Sequence, residues 1–289
     1  MPELPEVETI RKGLERYLVG HRITGVEVRL RKMLSGNTND LIGAKVKGVR
    51  RAGKGLIIDL DNRYSIAIHI KLTGQLIYQG SGIPKGMKIS DRVGGQLPNK
   101  WTHVIFRLDK GGVLYYNDLR QFGWIKIVKT DEVGNLPFFK ELGPEPFVGN
   151  SPPGQAILTL DKFREIVSRA STKIKPLLMD QKKIGGVGNI YANEALWVAG
   201  IDPRRTAKSL SSSEKSKLYD AILEVLKKGL KEGGATEINF VNLLGQEGGY
   251  QKYFLAYGQE GELCQRRHGL IQKIRLGGRG TYFCPRCQR

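Results

Sequence analysis

The chain opens with Met1-Pro2-Glu3-Leu4-Pro5-Glu6-Val7-Glu8, and both the first helix and the candidate chemistry are predicted from this segment. Proline near a first helical position, followed by carboxylates in the first turn, is typical of a helix start. A second interpretation is chemical. Removal of Met1 would leave Pro2 as a free secondary amine beside Glu3. An α-amino group titrates at roughly 7.7–8.0, so part of it is a neutral nucleophile near pH 7. The two interpretations are compatible, and the residues alone leave both open.

Outward from this segment, apolar residues recur at every second position through the first half of the chain. Such alternation, interrupted by Gly, Asn and Asp, is typical of short strands in a β-sandwich or barrel. The predicted strands lie around residues 23–28, 56–58, 66–68, 104–106, 113–115 and 124–127. Residues 80–100 lack the alternation, and we expect a mobile surface loop there.

The second half of the chain changes to helical spacing. Apolar stripes predict helices around residues 163–167, 176–179, 190–198 and 218–230, and Ser211-Ser212-Ser213-Glu214 has the pattern of a capping box. Five prolines between residues 134 and 154 predict a linker. We therefore expect an α+β multidomain protein with boundaries at 1–133, 134–154 (linker), 155–258 and 259–289.

The charge balance points to an anionic partner. The 289 residues include 47 Lys and Arg against 28 Asp and Glu, a formal net charge of +19. Nucleic acid is the simplest partner for such an excess. An anionic membrane surface is the competitor, although no apolar run approaches the roughly 20 residues of a spanning helix. No basic and apolar signal segment begins the chain, so we expect a cytoplasmic location.

The three cysteines are crowded into the last 26 residues, which favours a metal site over disulfides. Cys264 is followed by His268, and Cys284 by Cys287, a ligand set that suits tetrahedral zinc. His268 as a surface histidine is the alternative. Between the two pairs, basic residues and glycines predict a hairpin tip that can approach phosphates, or else a solvated turn.

Several further residues are ambiguous when taken singly. Gly185-Gly186-Val187-Gly188-Asn189 precedes a predicted helix, so Asn189 either binds phosphate or caps the helix. Lys54 could be a solvated cation at a strand end. Leu72 and Phe122 could be core residues and Arg120 a surface ion pair, or the three could enter a duplex and fill a gap in it.

Taken together, the motifs resemble the formamidopyrimidine-DNA glycosylase family. The N-terminal octapeptide is similar to the family's signature, and further blocks follow in the family's order from end to end. These blocks are Arg50-Arg51-Ala52-Gly53-Lys54, His69-Ile70-Lys71-Leu72-Thr73-Gly74, Leu142-Gly143-Pro144-Glu145-Pro146, Ile174-Lys175-Pro176-Leu177-Leu178-Met179-Asp180, Gly186-Val187-Gly188-Asn189-Ile190-Tyr191-Ala192 and Gly278-Arg279-Gly280-Thr281-Tyr282-Phe283-Cys284.

The resemblance implies an N-terminal β-sandwich with an N-terminal helix, a helix–two-turn–helix module and a C-terminal zinc-finger β-hairpin. It implies a base-excision repair enzyme that removes oxidised purines, chiefly 8-oxoguanine and formamidopyrimidines, and then cleaves the strand at the abasic site. The implied partner is damaged double-stranded DNA, with no membrane. The protein would be a monomer in a bacterial-type cytoplasm, associated with the nucleoid. One structural Zn²⁺ would be the only cofactor.

The resemblance also assigns catalytic roles residue by residue. Pro2 matches the nucleophile that forms a Schiff base with the sugar, and Glu3 the general acid/base. Lys54 matches a lysine linked to excision and elimination, and Glu6 a second acidic residue near the lesion. Arg279 matches the zinc-hairpin arginine assigned to δ-elimination.

The implied DNA contacts form a second group. Leu72, Arg120 and Phe122 match the three residues that fill the gap left by the flipped base, with leucine where methionine is frequent. Asn189 matches a phosphate ligand, and His69 matches a further DNA contact. A basic DNA contact before the Ile174-Lys175 block is matched by Lys173 or, alternatively, by Arg169. Trp101 stands where a DNA-contacting histidine is common, and His103 lies two residues further on.

One departure concerns the metal. Arg267 occupies the position of the family's second cysteine, and His268 is the predicted replacement among the ligands Cys264, His268, Cys284 and Cys287. Two other functions stay open: an endonuclease VIII-like glycosylase with a preference for oxidised pyrimidines, and a DNA-lesion-binding protein without catalysis.

Overall fold

The computed structural model describes residues 1–147 and 156–289. Within these, the chain forms two compact units. The first contains Met1–Lys140 and Glu232–Gln251, and the second contains residues 141–147 and 156–231 and Lys252–Arg289. Residues 148–154 of the predicted linker lie outside the described part of the chain.

The first unit is built on an N-terminal helix and two sheets whose strands are mostly antiparallel. Helix α1 spans Leu4–Leu18, and the strands are β1 (Ile23–Val28), β2 (Leu34–Ser35), β3 (Val46–Ala52), β4 (Gly55–Leu60), β5 (Tyr64–His69), β6 (Gly74–Gln79), β7 (Thr102–Leu108), β8 (Val113–Asp118) and β9 (Trp124–Lys129). One sheet has the order β1-β7-β8-β6 and the other β2-β9-β5-β4-β3, with β2 parallel to β9.

A single apolar core joins the two sheets and α1. Leu76 and Phe106 from the four-stranded sheet, Leu56 and Ile68 from the five-stranded sheet and Ile10 from α1 are all at most 2 % exposed and belong to one cluster. Burying each such side chain stabilises the fold by about 1.5–3 kcal/mol. The predicted β-sandwich with an N-terminal helix is confirmed.

The outer face of the four-stranded sheet is also covered. Ile77 and Tyr115 pack with Val93 and Leu97 from the segment between β6 and β7, and with Val241 from the returning segment Glu232–Gln251. Strand β6 is therefore apolar on both faces, which is why its sequence lacks alternation. Ser90 and Arg92 donate to Glu247 Oε1, at 2.7 and 3.0 Å, and thereby hold the two covering segments together.

Part of the predicted linker belongs to the first unit. Helix α2 (Pro137–Lys140) follows a 3₁₀ turn and buries Phe139, while Phe138 contacts His69 edge-on at 4.6 Å between ring centroids. Two adjacent aromatic side chains favour packing over solvent, and this outweighs the proline-rich composition of the segment.

The second unit is helical and ends in a hairpin. Its elements are α3 (Leu160–Arg169), α4 (Ile174–Met179), α5 (Asn189–Ala199), α6 (Ser212–Lys231), β10 (Gln272–Leu276) and β11 (Arg279–Phe283). The predicted capping box is present, since the Glu214 amide donates to Ser211 Oγ at 3.2 Å and the Ser211 amide to Glu214 Oε2 at 2.7 Å. None of the helices in the described part of the chain is long and apolar enough to cross a membrane.

Candidate active site

Buried charges surround the N-terminus of the first unit. Pro2 is buried, and Glu3, Glu6 and Lys54 are each at most 2 % exposed. Glu6 accepts two main-chain hydrogen bonds of 2.7 Å, from the Glu3 amide to Oε2 and from the Ala235 amide to Oε1. Glu6 therefore ties the start of α1 to the segment Glu232–Gln251.

The surroundings of the N-terminus shift the pKa of its amine. Burial lowers the pKa of the Met1 amine below its ordinary value, against the opposing charges of Glu3, Glu6 and Glu237. The positive charge of Lys54 also lowers that pKa. The structure thus brings the amine, Glu3, Glu6 and Lys54 to one site, and adds Glu237, which no sequence motif indicated.

Lys54 is set in the β3–β4 turn, where its neighbours fix it. Gly53 precedes it with φ +54°, and a Cβ on Gly55 would lie 2.7 Å from the Phe139 ring. The close approach requires glycine at position 55. With 2 % exposure, Lys54 is not the solvated strand-end cation that the residue alone allowed.

His69, a predicted DNA contact, lies inside the fold. It is 3 % exposed and its Nδ1 accepts the Lys71 amide at 2.9 Å. Burial, and then the positive charges of Lys71 and Lys54, lower the pKa of His69 to about 3, so the ring is neutral at physiological pH. Its contact with DNA stays a prediction.

The three predicted gap-filling residues lie on two adjoining loops. Leu72 is in the turn after β5, and Arg120 and Phe122 follow β8, with the Arg120 amide donating to Thr73 Oγ1 at 2.9 Å. The Arg120 guanidinium stacks 4.8 Å from the centroid of the Phe122 ring, which is 56 % exposed. Phe122 is therefore not a core residue.

Trp101 belongs to the same edge of the first unit. Its carbonyl accepts the Asp118 amide at 2.9 Å, directly before the Arg120 loop, and its side chain is half-buried. His103 is buried on β7, and its Nε2 donates to the Asp118 carbonyl at 2.8 Å. His103 therefore has a structural partner, and Trp101 is left as the predicted DNA contact.

The second unit holds Asn189 and Lys173 at helix starts. Gly188 caps α5, so Asn189 is the first helical residue and not the cap. Its buried Oδ1 has no hydrogen-bond partner within residues 1–147 and 156–289. Lys173 is exposed directly before α4. These positions are compatible with the predicted phosphate contacts, which stay predictions.

Strand β11 of the hairpin is anchored by a buried lysine that sequence reasoning did not single out. Lys175 is fully buried, and its Nζ donates at 2.7 Å to Gly280 O and to Thr281 Oγ1. Asn193 Oδ1 accepts the Tyr282 amide at 2.8 Å. Arg279 is the exposed first residue of β11, and the two residues that follow it, Gly280 and Thr281, are both hydrogen-bonded to Lys175.

Three of the four predicted metal ligands, the cysteines, meet at the end of the second unit, and His268 lies beside one of them. The sulfur atoms of Cys264, Cys284 and Cys287 all lie within 4.8 Å of one another, and His268 Nδ1 lies 3.2 Å from Cys287 Sγ. Burial, and then the adjacent thiols, raise the pKa of Cys287 to about 12. A divalent cation supplies the charge that lets such thiols act as thiolates. The cluster could bind one structural zinc, and its donor set fits that ion.

Three family models match successive parts of the chain. The formamidopyrimidine-DNA glycosylase N-terminal domain matches residues 1–125, and the H2TH domain of the same enzymes matches residues 142–240. A zinc finger found in FPG and IleRS matches residues 261–289. The order agrees with the two units and the terminal hairpin.

Whole-chain comparisons lead to the same family. A formamidopyrimidine-DNA glycosylase of Pelotomaculum thermopropionicum is 40 % identical over 100 % of this chain and 99 % of its own length. The Lactococcus lactis Fpg (MutM), solved in complex with DNA containing N7-benzyl-Fapy-dG, is 34 % identical over 100 % of both chains, with a TM-score of 0.84. The same enzyme with abasic-site DNA has a TM-score of 0.83, 34 % identity and 99 % coverage of each chain.

Proposed function

Because the chain belongs to the formamidopyrimidine-DNA glycosylase family, we propose that it excises oxidised purines from duplex DNA and then cleaves the strand. The substrates are 8-oxoguanine and formamidopyrimidines, and the strand is cut by β,δ-elimination. The observation that carries the proposal is the buried group of Pro2, Glu3, Glu6 and Lys54 in the first unit. A protein that only bound lesions would have no need for a buried lysine and two buried carboxylates beside its N-terminus.

The reaction begins with the target nucleotide outside the base stack, because the sugar carbon is otherwise inaccessible. Pro2 nitrogen, free once Met1 has been removed, attacks C1′. The bond from C1′ to the base breaks, and its electron pair leaves with the base, which takes up a proton. Glu3 acts as the general acid/base that helps open the sugar ring and assists this departure. The product is an iminium between Pro2 and C1′.

Elimination follows from the iminium. Its positive charge acidifies the C2′ proton, and removal of that proton expels the 3′ phosphate by β-elimination. A second elimination expels the 5′ phosphate. Lys54 assists base excision and elimination, and Glu6 holds the Glu3 amide and the Ala235 amide in place around the amine. Arg279 binds phosphate and supports the δ step.

DNA recognition is divided among exposed and half-buried groups. Leu72, Arg120 and Phe122 fill the gap left by the flipped nucleotide, and the guanidinium donors of Arg120 suit the acceptors of the widowed cytosine. Asn189 contacts a phosphate, and Lys173, Trp101 and the buried His69 are the further predicted DNA contacts. A zinc ion held by Cys264, Cys284, Cys287 and His268 stiffens the hairpin. In this proposal the protein works as a monomer on damaged duplex DNA in the bacterial cytoplasm, at the nucleoid.

Borohydride trapping tests the chemistry directly. The mature protein, incubated with a duplex that contains 8-oxoguanine opposite C, should give a covalent protein–DNA adduct when the iminium is reduced. No adduct would leave only a lesion-binding function. The matched duplex with thymine glycol separates the oxidised-pyrimidine alternative, because a large preference for thymine glycol would assign the chain to the endonuclease VIII-like branch.

DNA affinity should fall steeply with salt. If about six phosphates are contacted, the association constant should drop roughly a thousandfold between about 50 and 200 mM salt, because phosphate neutralisation releases counterions. Fluorescence anisotropy of a labelled duplex measures the slope. Arg279→Gln should lower the slope by about one. An affinity insensitive to salt would contradict binding through a basic surface.

A further inference from the structure

The loop that carries Arg120 and Phe122 is held from both ends by one buried carboxylate. Asp118, the last residue of β8, is fully buried. Its Oδ1 accepts the Arg120 amide at 3.2 Å, and its Oδ2 accepts the Gly123 amide at 2.7 Å. The four residues 119–122 therefore form a closed loop whose two ends meet at the same side chain.

Thr73 connects this loop to the turn that carries Leu72. Its hydroxyl donates to Asp118 Oδ1 at 2.5 Å and accepts the Arg120 amide at 2.9 Å. The turn itself is tight, since the Gly74 amide donates to Ile70 O at 2.9 Å and a Cβ on Gly74 would lie 2.4 Å from that oxygen. Thr73 is 4 % exposed, so these hydrogen bonds are shielded from water.

Further contacts hold Asp118 in place. Its main-chain amide and carbonyl are bound by Trp101 and His103. Gly123 is pressed against the sheet, and a Cβ there would lie 1.8 Å from the Tyr116 hydroxyl oxygen. Gln121, between Arg120 and Phe122, has φ +56°, a left-handed conformation that L-residues rarely adopt. The loop is thus hydrogen-bonded at both ends while the side chains of Arg120 and Phe122 are exposed.

We propose that the buried pair of Asp118 and Thr73 sets the opposite-base selectivity of the enzyme by fixing the Arg120 loop. The proposal rests on the function proposed above. An arginine that is held in one place offers donors only, which match the two acceptors of cytosine. Adenine presents a donor beside its acceptor, so it leaves one arginine N–H unmatched. A loosened arginine can shift to avoid that mismatch, and selectivity falls. Asp118 and Thr73 are positioning residues, because they act through Arg120.

The decisive measurement is the ratio of kcat/KM for 8-oxoguanine opposite C to that opposite A, in Thr73→Val and Thr73→Ser. Valine has nearly the shape of threonine but no hydroxyl, so both hydrogen bonds of Thr73 are lost. The ratio should fall roughly tenfold, which corresponds to about 1.4 kcal/mol. Serine keeps the hydroxyl and should keep the ratio within about twofold of the wild type. Asp118→Asn, with one acceptor oxygen fewer, should behave like Thr73→Val.

The Arg120→Ala background tests whether Thr73 acts through Arg120. If Thr73 acts through Arg120, Thr73→Val should lower the ratio in the wild type and leave it unchanged in the Arg120→Ala background. A merely structural role would lower activity on both duplexes equally, with the ratio intact in every background. An unchanged ratio in both Thr73→Val and Asp118→Asn would overturn the inference.

The two proposals fail in distinguishable ways. A wild-type protein that gives no trapped adduct refutes the proposed function before any variant is made. A wild-type protein that excises the lesion and discriminates between C and A, with variants that discriminate equally well, refutes only the positioning role. Trapping on a preformed abasic site in single-stranded DNA should be equal in the wild type, Thr73→Val, Thr73→Ser and Asp118→Asn, because it needs the amine and no opposite base.

Discussion

Replacing Pro2 by glycine is expected to lower the yield of borohydride-trapped adduct on 8-oxoguanine DNA by on the order of a hundredfold, the cost of a reacting group that is no longer held in its productive direction. The variant keeps a terminal amine after Met1 removal but loses the ring that fixes its direction. Pro2 lies before α1 and outside the apolar core cluster, so the fold should survive. Mass spectrometry of the preparation must first show that Met1 is absent, because a Met1–Pro2 peptide bond leaves no nucleophile.

Glu3→Gln is the matched control for the Pro2 substitution. The amide keeps the size of the side chain but cannot transfer a proton, so base excision should fall by roughly 10²–10⁴. Trapping on a preformed abasic site requires no base departure and should fall far less. Pro2→Gly should fail on both substrates. An undiminished adduct from Pro2→Gly would remove Pro2 from the reaction centre.

The N-terminal site shows how far motifs can take a prediction. Pro2, Glu3, Glu6 and Lys54 were all indicated by linear sequence, and the structure places them in one buried group. The contact that closes the group was not indicated, because the partner of Glu6 Oε1 is the main-chain amide of Ala235. A main-chain donor has no signature in the side-chain sequence, and the 229 positions between them hide the pairing further.

The fold shows the same limit. Six of the nine strands of the sandwich were predicted from alternation, but β3 was not, because two adjacent arginines interrupt its pattern. Arg51 is 2 % exposed and pairs with Glu8 of α1 at 3.0 Å, while Arg50 pairs with Asp59 on the neighbouring strand. A charged residue that is neutralised inside the fold is indistinguishable, in one sequence, from one that faces solvent.

The carboxylate of Asp118 and the ammonium of Lys175 were missed for a related reason. Both are buried. Asp118 accepts the main-chain amide of Arg120, and Lys175 donates to the carbonyl of Gly280, the residue after Arg279. Motif reasoning finds residues that touch substrate, since those require particular chemistry at a particular place. Residues that position them can only be recognised once the three-dimensional contacts are known.

Removing one metal ligand should unfold the hairpin while the sandwich stays folded. The strands β10 and β11 contain five residues each, and the small core beneath them consists of side chains such as Trp197 and Ile271 together with Cys264 and Cys284. A two-stranded hairpin is at best marginally stable in water, so zinc must supply much of its folding free energy. We expect one zinc per chain by metal analysis. Its loss should abolish tight DNA binding while the sandwich stays folded.

Substitutions at His268 test whether this residue is the fourth zinc ligand. His268→Ala should weaken zinc binding by more than about a hundredfold, because even outer-shell partners of metal ligands contribute 10- to 100-fold. His268→Cys restores a thiolate donor and should retain the metal. Arg267→Gly is the matched control, since Arg267 lies in the same turn with φ +58° and glycine tolerates that conformation. Competition with a chromophoric chelator measures all three affinities. Equal zinc affinity in His268→Ala and Arg267→Gly would exclude His268 from the site, and a zinc-free preparation that is folded and active would exclude the metal itself.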